Sequence, residues 1–216
     1  ANSIVGVANI AENANGALIY GAGNKITNSV ASIGFDGNYG ANTVDELLEK
    51  LSKSVQSSNG GGATMAFGGG NVADYTNLTM ITGVNNTVKG TEDKISKRDS
   101  VMGYNNTVTN ASDVKLIGNN NTIEEDASDN MLFGDNYTIK SGKTKNVILG
   151  SAANNTELTV SSATILGYNA NVKAEGGVAL GFGSILSDTE SNLSKSGWDV
   201  AKGAESTETG YIWRPT

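Results

Sequence analysis

An apolar triplet, a glycine, a polar turn and one further apolar residue recur along the chain. The phrase occupies Val101–Val108 and returns as Leu116–Ile123 and Ile165–Val172. Successive marker glycines are separated by roughly 13 to 20 residues, apart from one longer gap, which is too short for a repeat built on helix pairs. These glycines are Gly21, Gly34, Gly68, Gly83, Gly103, Gly118, Gly134, Gly150, Gly167 and Gly181. The pattern predicts a solenoid whose coils each contain two short strands and two turns.

Neighbouring side chains of the triplet point to opposite faces of a strand, and both sets are apolar. A solitary solenoid needs only its inner face to be apolar, so the second apolar face predicts a partner that covers it. We therefore expect the chain to form a homo-oligomer. The residues expected in the core or in this packing are Ile81, Val101, Met102, Leu116, Ile117, Leu132, Phe133, Ile148, Leu149, Ile165, Leu166 and Leu180.

The turn after each glycine is rich in asparagine, which tolerates the backbone geometry of tight turns. Asparagines recur two positions after their glycines, and stacked asparagines can bond to one another along a rod. Five positions after glycine the chain becomes apolar again, which predicts that the second strand closes the inner core. The residues at this position are Ile26, Val88, Val108, Ile123, Ile139, Val172 and Leu186.

Insertions fall mostly after this second apolar position, so we expect them to emerge at one corner of the coil. They span residues 89–98, 124–129, 140–145 and 173–176. Loops on one side of a solenoid are commonly its binding face, although a solvated rim is an equally good interpretation of any single loop. The candidate partner-binding residues in the first of these loops are Glu92, Asp93, Lys94, Lys97 and Arg98.

A helix is predicted over roughly residues 43–56, between two coils. Thr43–Glu46 has the form of a capping box, and Val44, Leu47, Leu48 and Leu51 follow at helical spacing. We count the exposed charges of this insertion as further candidate contacts for a partner. They are Glu46, Lys50 and Lys53.

The chain therefore divides into four predicted parts. Residues 1–40 form the first coils, 41–62 the helical insertion, 63–186 the main run of coils and 187–216 a C-terminal extension with a hairpin-like form. That extension holds both tryptophans, Trp198 and Trp213, and the only proline, Pro215, lies outside the repeats. A proline-free run is expected where almost every backbone N–H joins a ladder.

Composition limits the chemistry. The 216 residues contain no cysteine and no histidine, and the formal net charge is −7. These absences exclude disulfides, thiolate nucleophiles and imidazole catalysis, and the negative charge argues against nucleic acid as a partner. No stretch is apolar for long enough to predict a membrane span, so we expect no direct membrane insertion by this segment. We expect no enzymatic activity, no cofactor and no metal site.

Two late phrases carry a resemblance to a known family. Gly177–Gly181 and Thr164–Ala170 resemble the "SVAIG-x-x-A-x-A" repeats of trimeric autotransporter adhesin heads, the YadA-like family. The resemblance covers most of residues 17–186 and is looser where Asn-Asn-Thr replaces small residues. It implies an all-β, left-handed parallel β-roll packed as a homotrimer, on the surface of a Gram-negative bacterium, with its outer-membrane anchor outside this fragment. Its implied partners are host cell surfaces, extracellular matrix or other bacteria.

The chain departs from that family at the helical insertion, and no clear neck sequence follows the repeats. Ligand-binding residues are not carried over, because the shared motif is structural. A trimeric phage-type fibre or a structural spacer remains the alternative. A hexapeptide-repeat acyltransferase lacks its histidine base here, and an ice-binding rod is disfavoured because the threonine column at Thr87, Thr107, Thr122 and Thr138 breaks at Asn171 and Ile185.

Overall fold

The chain folds into a parallel β-solenoid with one inserted helix, as its sequence pattern predicts. The computed structural model describes residues 2–30, 40–57, 62–187, 198–199 and 204–205. Each coil contributes a first strand to a ten-stranded parallel sheet, and most coils contribute a second strand to an eight-stranded parallel sheet. At the strand spacing of a sheet, ten coils make a stack about 45 Å long.

The ten-stranded sheet contains the apolar triplets. A glycine stands two residues after an inward-pointing apolar position in every coil, and we number the coils one to ten by these glycines, from Gly6 to Gly181. The strands, in chain order, are β1 Ser3–Val7, β3 Leu18–Ala22, β5 Met65–Gly69, β8 Met80–Val84, β11 Ser100–Tyr104, β13 Lys115–Asn119, β15 Met131–Phe133, β17 Val147–Leu149, β19 Thr164–Leu166 and β21 Val178–Leu180.

The eight-stranded sheet lies opposite and contains the apolar residue that follows each turn. Its strands are β2 Ile10–Glu12, β4 Lys25–Thr27, β6 Val72–Asp74, β9 Thr87–Lys89, β12 Thr107–Thr109, β14 Thr122–Ile123, β16 Tyr137–Ile139 and β18 Thr156–Leu158. Three further pairs are β7 Thr76–Asn77 with β10 Ser96–Lys97, β20 Asn171–Val172 with β22 Ile185–Leu186, and the antiparallel β23 Trp198–Asp199 with β24 Ala204–Glu205.

The core lies between the two sheets. The residue two positions before each glycine points inward and is fully or almost fully buried from Ile19 in coil two to Ala179 in coil ten. Apolar residues of the other sheet meet them at the position five after glycine. These are buried except Ala11 and Leu186, which are partly buried against the same cluster, and in coil eight the buried Leu158 serves instead of the exposed Asn155. Repetition of this one apolar layer makes a continuous core.

The glycine column is required by close approach between coils. Gly103 has φ of +131° and pairs with Gly118 in the next strand. A Cβ on Gly103 would overlap the carbonyl oxygen of Gly118, and the same overlap recurs with the next glycine along most of the column. Glycine is used here both because it tolerates positive φ and because no side chain fits.

A buried ladder of asparagines stands three positions after the glycine, not two. Asn86 donates its backbone N–H and one Nδ2–H to Asn71 Oδ1, over 3.0 and 3.1 Å. It donates the other Nδ2–H to the carbonyl of Gly103 in the following coil, over 2.8 Å. The predicted outer column also forms, at Asn85, Asn105 and Asn120, but those side chains are exposed.

Tyr137 ends the buried ladder in coil seven. Its backbone N–H bonds Asn121 Oδ1 over 2.9 Å, which completes the last rung. Its ring is fully buried, and its hydroxyl donates to the carbonyl of Ala170, two coils further on, over 2.8 Å. Beyond this point the rung position holds smaller residues instead of asparagine.

The marker glycine of the first coil was not identified from the sequence, although residues 1–40 were predicted to form the first coils. Gly6, with φ of +119°, pairs with Gly21 and marks coil one. Gly34, which the spacing placed in the column, lies outside the described residues. The predicted helix is α1, Val44–Ser57, inserted between coils two and three. Of the C-terminal extension, Trp198–Asp199 pairs with Ala204–Glu205, and Trp213 lies outside the described residues.

Candidate interaction surface

The outward side of the ten-stranded sheet is the largest candidate surface, and we call it the outer apolar face. Strand alternation separates Ile148, which is fully buried, from its neighbour Leu149, which is 51% exposed. The residues one position before each glycine form this face, and only one of them is polar. They are Val5, Tyr20, Phe67, Thr82, Met102, Ile117, Phe133, Leu149, Leu166 and Leu180. Exposed Met65, Met131, Val147 and Val178 widen the face on one side.

The outward side of the eight-stranded sheet has a different character. Its outward column begins with the exposed Ile10 and Lys25 and the half-buried Val72. It then continues as threonine through Thr87, Thr107, Thr122 and Thr138 to the exposed Glu157. Threonine and charged side chains are well solvated by water, whereas exposing rows of leucine and isoleucine to water is unfavourable. The two faces of the solenoid therefore differ in exposed apolar surface, and only the outer apolar face would be stabilised by burial against a partner.

The residues predicted to lie in the core or in the packing between subunits divide into an inward set and an outward set. The inward members are fully or almost fully buried: Ile81, Val101, Leu116, Leu132, Ile148 and Ile165. The outward members belong to the outer apolar face: Met102, Ile117, Phe133, Leu149, Leu166 and Leu180. The sequence showed both sets to be apolar, and the structure shows which of the two is available to a partner.

The corner loops lie on one side of the stack, and their charges pair between coils. Arg98 makes a bidentate contact with Asp113, with Nε and Nη2 at 2.7 and 2.6 Å from the two carboxylate oxygens. The hydrogen bonds from Arg98 lower the pKa of Asp113, and those to Asp113 raise the pKa of Arg98. Lys94 forms an ion pair with Asp126 of a later loop. Both cations are thus engaged within the chain.

The same corner continues with further pairs in later coils. Lys140 Nζ lies 2.5 Å from Glu124 Oε1 and 3.5 Å from Glu157 Oε1. Lys143 lies 3.9 Å from Glu175. Such exposed pairs contribute at most about 1 kcal/mol each, so their main effect is to neutralise the rim rather than to hold it together.

The remaining candidates of the corner loop keep their charges in solvent. Glu92, Asp93 and Lys97 are exposed, and their charged groups form no hydrogen bond or ion pair within residues 2–30, 40–57 and 62–187, although the Lys97 backbone N–H donates to Ser112 Oγ. Because Lys94 and Arg98 are paired intramolecularly, these three side chains, together with the exposed Lys89 at the end of β9, are the charges of the loop that a partner meets without first breaking an ion pair. Glu92 and Asp93 lie on the turn that precedes β10, and Lys97 is the last residue of β10.

The charged candidate residues of α1 form local contacts at the start and along the surface of the helix. Glu46 Oε2 accepts the N–H of Asn42 over 2.8 Å, so it serves the helix start, and Thr43 Oγ accepts the N–H of Glu46. Lys50 donates to the carbonyl of Gly40 over 2.7 Å. Lys53 pairs with Glu49, which lowers the pKa of that carboxyl. The apolar side of α1 remains largely open, with Leu48 58% exposed.

A buried carboxyl beneath the corner loop was not predicted. Asp99 is 2% exposed, and burial raises its pKa to about 7. Its Oδ1 accepts the N–H of Val114 over 3.0 Å, as Asn130 and Asn146 accept from the same position of their following coils. Its Oδ2 lies 2.7 Å from Ser96 Oγ, and that hydroxyl lies 2.5 Å from the carbonyl of Ala111.

One hydroxyl hydrogen cannot serve both acceptors around Ser96. A protonated Asp99 supplies the second hydrogen by donating to Ser96 Oγ, while Ser96 donates to Ala111. The native state therefore holds a proton that the unfolded chain releases near pH 4, and stability falls as the pH rises from about 4 to 7. A shift of three pKa units corresponds to about 4 kcal/mol at most.

Asp99→Asn is expected to remove that fall. The amide keeps the acceptor for Val114 and donates to Ser96 at every pH, so the variant should exceed the wild type in stability above pH 7 and match it near pH 4. Urea midpoints at several pH values between 4 and 8.5 measure this. The exposed Asp93→Asn variant should follow the wild-type profile, and an unchanged slope in Asp99→Asn would contradict the assignment.

Among residues 2–30, 40–57 and 62–187, no helix has the length and apolar character to cross a lipid bilayer. In the same part of the chain, no cluster of three or more acidic side chains is arranged to hold a metal ion. Comparisons with models of protein families, with curated proteins and with solved structures found no match to this chain.

Proposed function

We propose that the chain is the head of a trimeric bacterial surface adhesin that attaches cells to host surfaces, extracellular matrix or other bacteria without catalysing a reaction. The head is held at the surface of a Gram-negative cell by an outer-membrane anchor in sequence outside these residues. The YadA-like resemblance of Gly177–Gly181 and Thr164–Ala170 supports this family, and the geometry adds independent support for association.

The outer apolar face is the observation that carries the proposal. Leu149, Leu166 and Leu180 are each about half exposed in adjacent coils, and the row extends over the full ten-stranded sheet. A continuous row of this length exceeds the scattered apolar residues normal for a monomer surface. Packing against copies of the same chain around a threefold axis covers such a face in every copy, while the polar face of the eight-stranded sheet stays in water.

Adhesion then falls to the surfaces left outside the trimer. The corner loops vary in length and project from one side of every coil, and the turn with Glu92, Asp93 and Lys97 carries free charges of both signs. Contacts of this kind are weak and salt-sensitive one at a time. Three copies in each head and many heads on each cell compensate through avidity.

An adhesion assay with coated beads tests this function. Beads carrying the full chain should attach to epithelial cells or to partner bacteria several times more often than beads carrying albumin. The variant Glu92→Ala, Asp93→Ala, Lys97→Ala should lose about half or more of that adhesion. These three positions are exposed, so the variant is expected to retain the fold.

The matched control removes the same number of acids and lysines from neighbouring turns of the same corner. Glu125→Ala, Asp129→Ala, Lys145→Ala should keep wild-type adhesion, because all three side chains are exposed and lie outside the candidate turn. A second variant, with residues 41–61 replaced by a short glycine–serine linker, measures the contribution of α1. Equal adhesion by all bead sets would reject both candidate regions as the contact site.

A trimeric fibre or spacer is the second candidate function. The intramolecular pairing of Lys94 with Asp126 and of Arg98 with Asp113 favours it, because a corner whose charges neutralise one another is suited to solvent exposure rather than to recognition. Specific adhesion by none of the beads, together with a trimeric mass in solution, would support the spacer and count against the adhesin.

A further inference from the structure

Two charged side chains lie at opposite edges of the outer apolar face. The residues three positions before each glycine form one edge, with the exposed Met131 among them, and the residues one position after each glycine form the other, with the exposed Tyr104 among them. Lys115 in coil six belongs to the first edge, and Asp135 in coil seven belongs to the second. Across all ten coils, which lie within residues 2–30 and 62–187, no other residue of these edges or of the column between them is charged.

Within one chain, Lys115 and Asp135 are too far apart to pair. Four residues of extended chain separate their columns, which is about 13 Å across the sheet. Lys115 Nζ donates to the carbonyl of Arg98 over 2.8 Å and keeps two further N–H donors. Asp135 Oδ1 accepts the N–H and the Nδ2–H of Asn119 over 2.7 and 2.8 Å, and Oδ2 accepts the hydroxyl of Ser151 over 3.0 Å. Both charged groups therefore retain hydrogen-bonding capacity for a partner.

Covering the outer apolar face makes these two charges costly. A copy packed on the face removes water from Lys115 and Asp135 together with their apolar neighbours, and an unpaired charge in an interface carries a desolvation penalty. The penalty is offset only where each charge meets its opposite. The position of the two charges therefore selects among the ways in which copies can pack.

The direction of packing decides which edges of the face meet. Copies related by rotation about an axis parallel to the stack place the Lys115 edge of one against the Asp135 edge of the next, at the same height. The carboxylate of Asp135 reaches down to Asn119, so it lies at the level of coil six, the coil of Lys115. Copies that run in opposite directions bring like edges together, and neither charge then meets its opposite.

We propose that Lys115 of each copy forms an ion pair with Asp135 of the next copy, and that this pair selects parallel, level packing of the copies. The inference rests on the proposed trimer and adds the residues that determine its arrangement. The apolar columns repeat in every coil, so they discriminate poorly between displaced arrangements. A displacement by two coils separates the charges by about 10 Å and leaves both without a partner. The pair thus acts as a specificity device more than as a source of affinity.

Carbodiimide cross-linking of the full chain tests the contact directly. The reagent joins a carboxylate to an amine that touches it, so proteolysis and mass spectrometry should recover a peptide with Lys115 Nζ bonded to Asp135. Chains labelled with heavy nitrogen, refolded together with unlabelled chains, should give this peptide with one labelled and one unlabelled half. The variant Lys115→Arg keeps the charge but has no amine that forms a stable link, so it should form the trimer and lose the cross-linked peptide.

Charge reversal measures the effect of the pair on assembly. Lys115→Glu places two carboxylates together at each interface, so the concentration of half-dissociation should rise by about tenfold or more. The double variant Lys115→Glu, Asp135→Lys restores the pair with its charges exchanged and should return to within about threefold of the wild type. Lys25→Glu is the matched control, because Lys25 is exposed on the outward side of the eight-stranded sheet, and it should dissociate as the wild type does. Sedimentation over a dilution series gives these values.

The outcomes separate this inference from the trimer on which it rests. A trimeric wild type without the Lys115–Asp135 peptide, in which Lys115→Glu changes nothing, would overturn the pair and leave the trimer standing. A monomeric wild type would reject both. Cross-linked peptides in which both halves always carry the same label would show a bond within one chain and would also overturn the proposal. Should the double variant fail to fold, the isotope composition of the cross-linked peptide still decides.

Discussion

Gly103→Ala is expected to destabilise the solenoid by about 4 kcal/mol or more, which is enough to unfold its central coils at room temperature. The added Cβ overlaps the carbonyl oxygen of Gly118, and the backbone at φ of +131° disfavours any L side chain. Relief would require coils five and six to separate, which breaks the strand pairing and the Asn106 rung together. Urea unfolding followed by far-ultraviolet circular dichroism measures the loss.

Gly142→Ala is the matched control for this variant. Gly142 also has positive φ, at +71°, but a Cβ there meets no atom within 4 Å. Only the backbone preference is lost, so the expected cost is about 1 kcal/mol. Similar effects of the two substitutions would show that glycine is needed for its backbone freedom alone and that coil contact plays no part.

Ile148→Asp is expected to cost about 5 kcal/mol, because a fully buried aliphatic side chain is replaced by a carboxyl that finds no partner in the core. The coils around it should lose their amide protection, and the protein should become sensitive to protease. Stability is measured by urea unfolding at pH 8, where an exposed carboxyl is ionised in full.

Leu149→Asp changes the adjacent residue and should behave differently. This side chain is half exposed on the outer apolar face, so the single chain should lose less than about 1 kcal/mol. If the proposed trimer is correct, light scattering should show the mass of the wild type fall to that of one chain in this variant. A monomeric wild type would contradict the proposed association, and severe unfolding by Leu149→Asp would contradict the assigned direction of the side chain.

The coils could be predicted from the sequence because each is encoded by the same short motif. Val101, Gly103 and Val108 stand at positions that recur in nearly every coil, and the residues at the positions of Val101 and Val108 are buried from coil two to coil seven. The helix was accessible for a similar reason: the capping signal at Thr43 and Glu46 and the apolar spacing after it are both local.

The choice between adjacent asparagines was not accessible. Asn105 and Asn106 are identical in chemistry. The stacked column predicted at the first of the pair does form on the surface, but the buried ladder at the second was not predicted. The first residue adopts φ of +55°, which turns its side chain to solvent and the next one inward. The left-handed residue stands two positions after the glycine in coils one to seven, and only the folded coil shows which of the two asparagines it turns inward.

Asp99 and Gly6 were missed for different physical reasons. Asp99 follows Lys97 and Arg98, and the run of charges reads as a solvated loop although the last member lies inside. Gly6 is preceded by Ile4 and Val5, as the motif requires. The residue five positions after it is Ala11, whereas most later coils have isoleucine, valine or leucine there, so the motif was not identified. The candidate binding residues depended on exposure, and the sequence could not reveal that Lys94 and Arg98 are engaged by Asp126 and Asp113.

The hydrogen bond from the Tyr137 hydroxyl to a coil two further along affects how the solenoid unfolds. In most solenoids each repeat is stabilised only by the repeats beside it, so the ends can fray one unit at a time. The bond from Tyr137 in coil seven to Ala170 in coil nine ties together units that are not neighbours. Loss of coil nine exposes the Tyr137 hydroxyl deep in the stack, so coils seven to nine should open in one step. Fraying from the C-terminal side should therefore halt at this three-coil clasp.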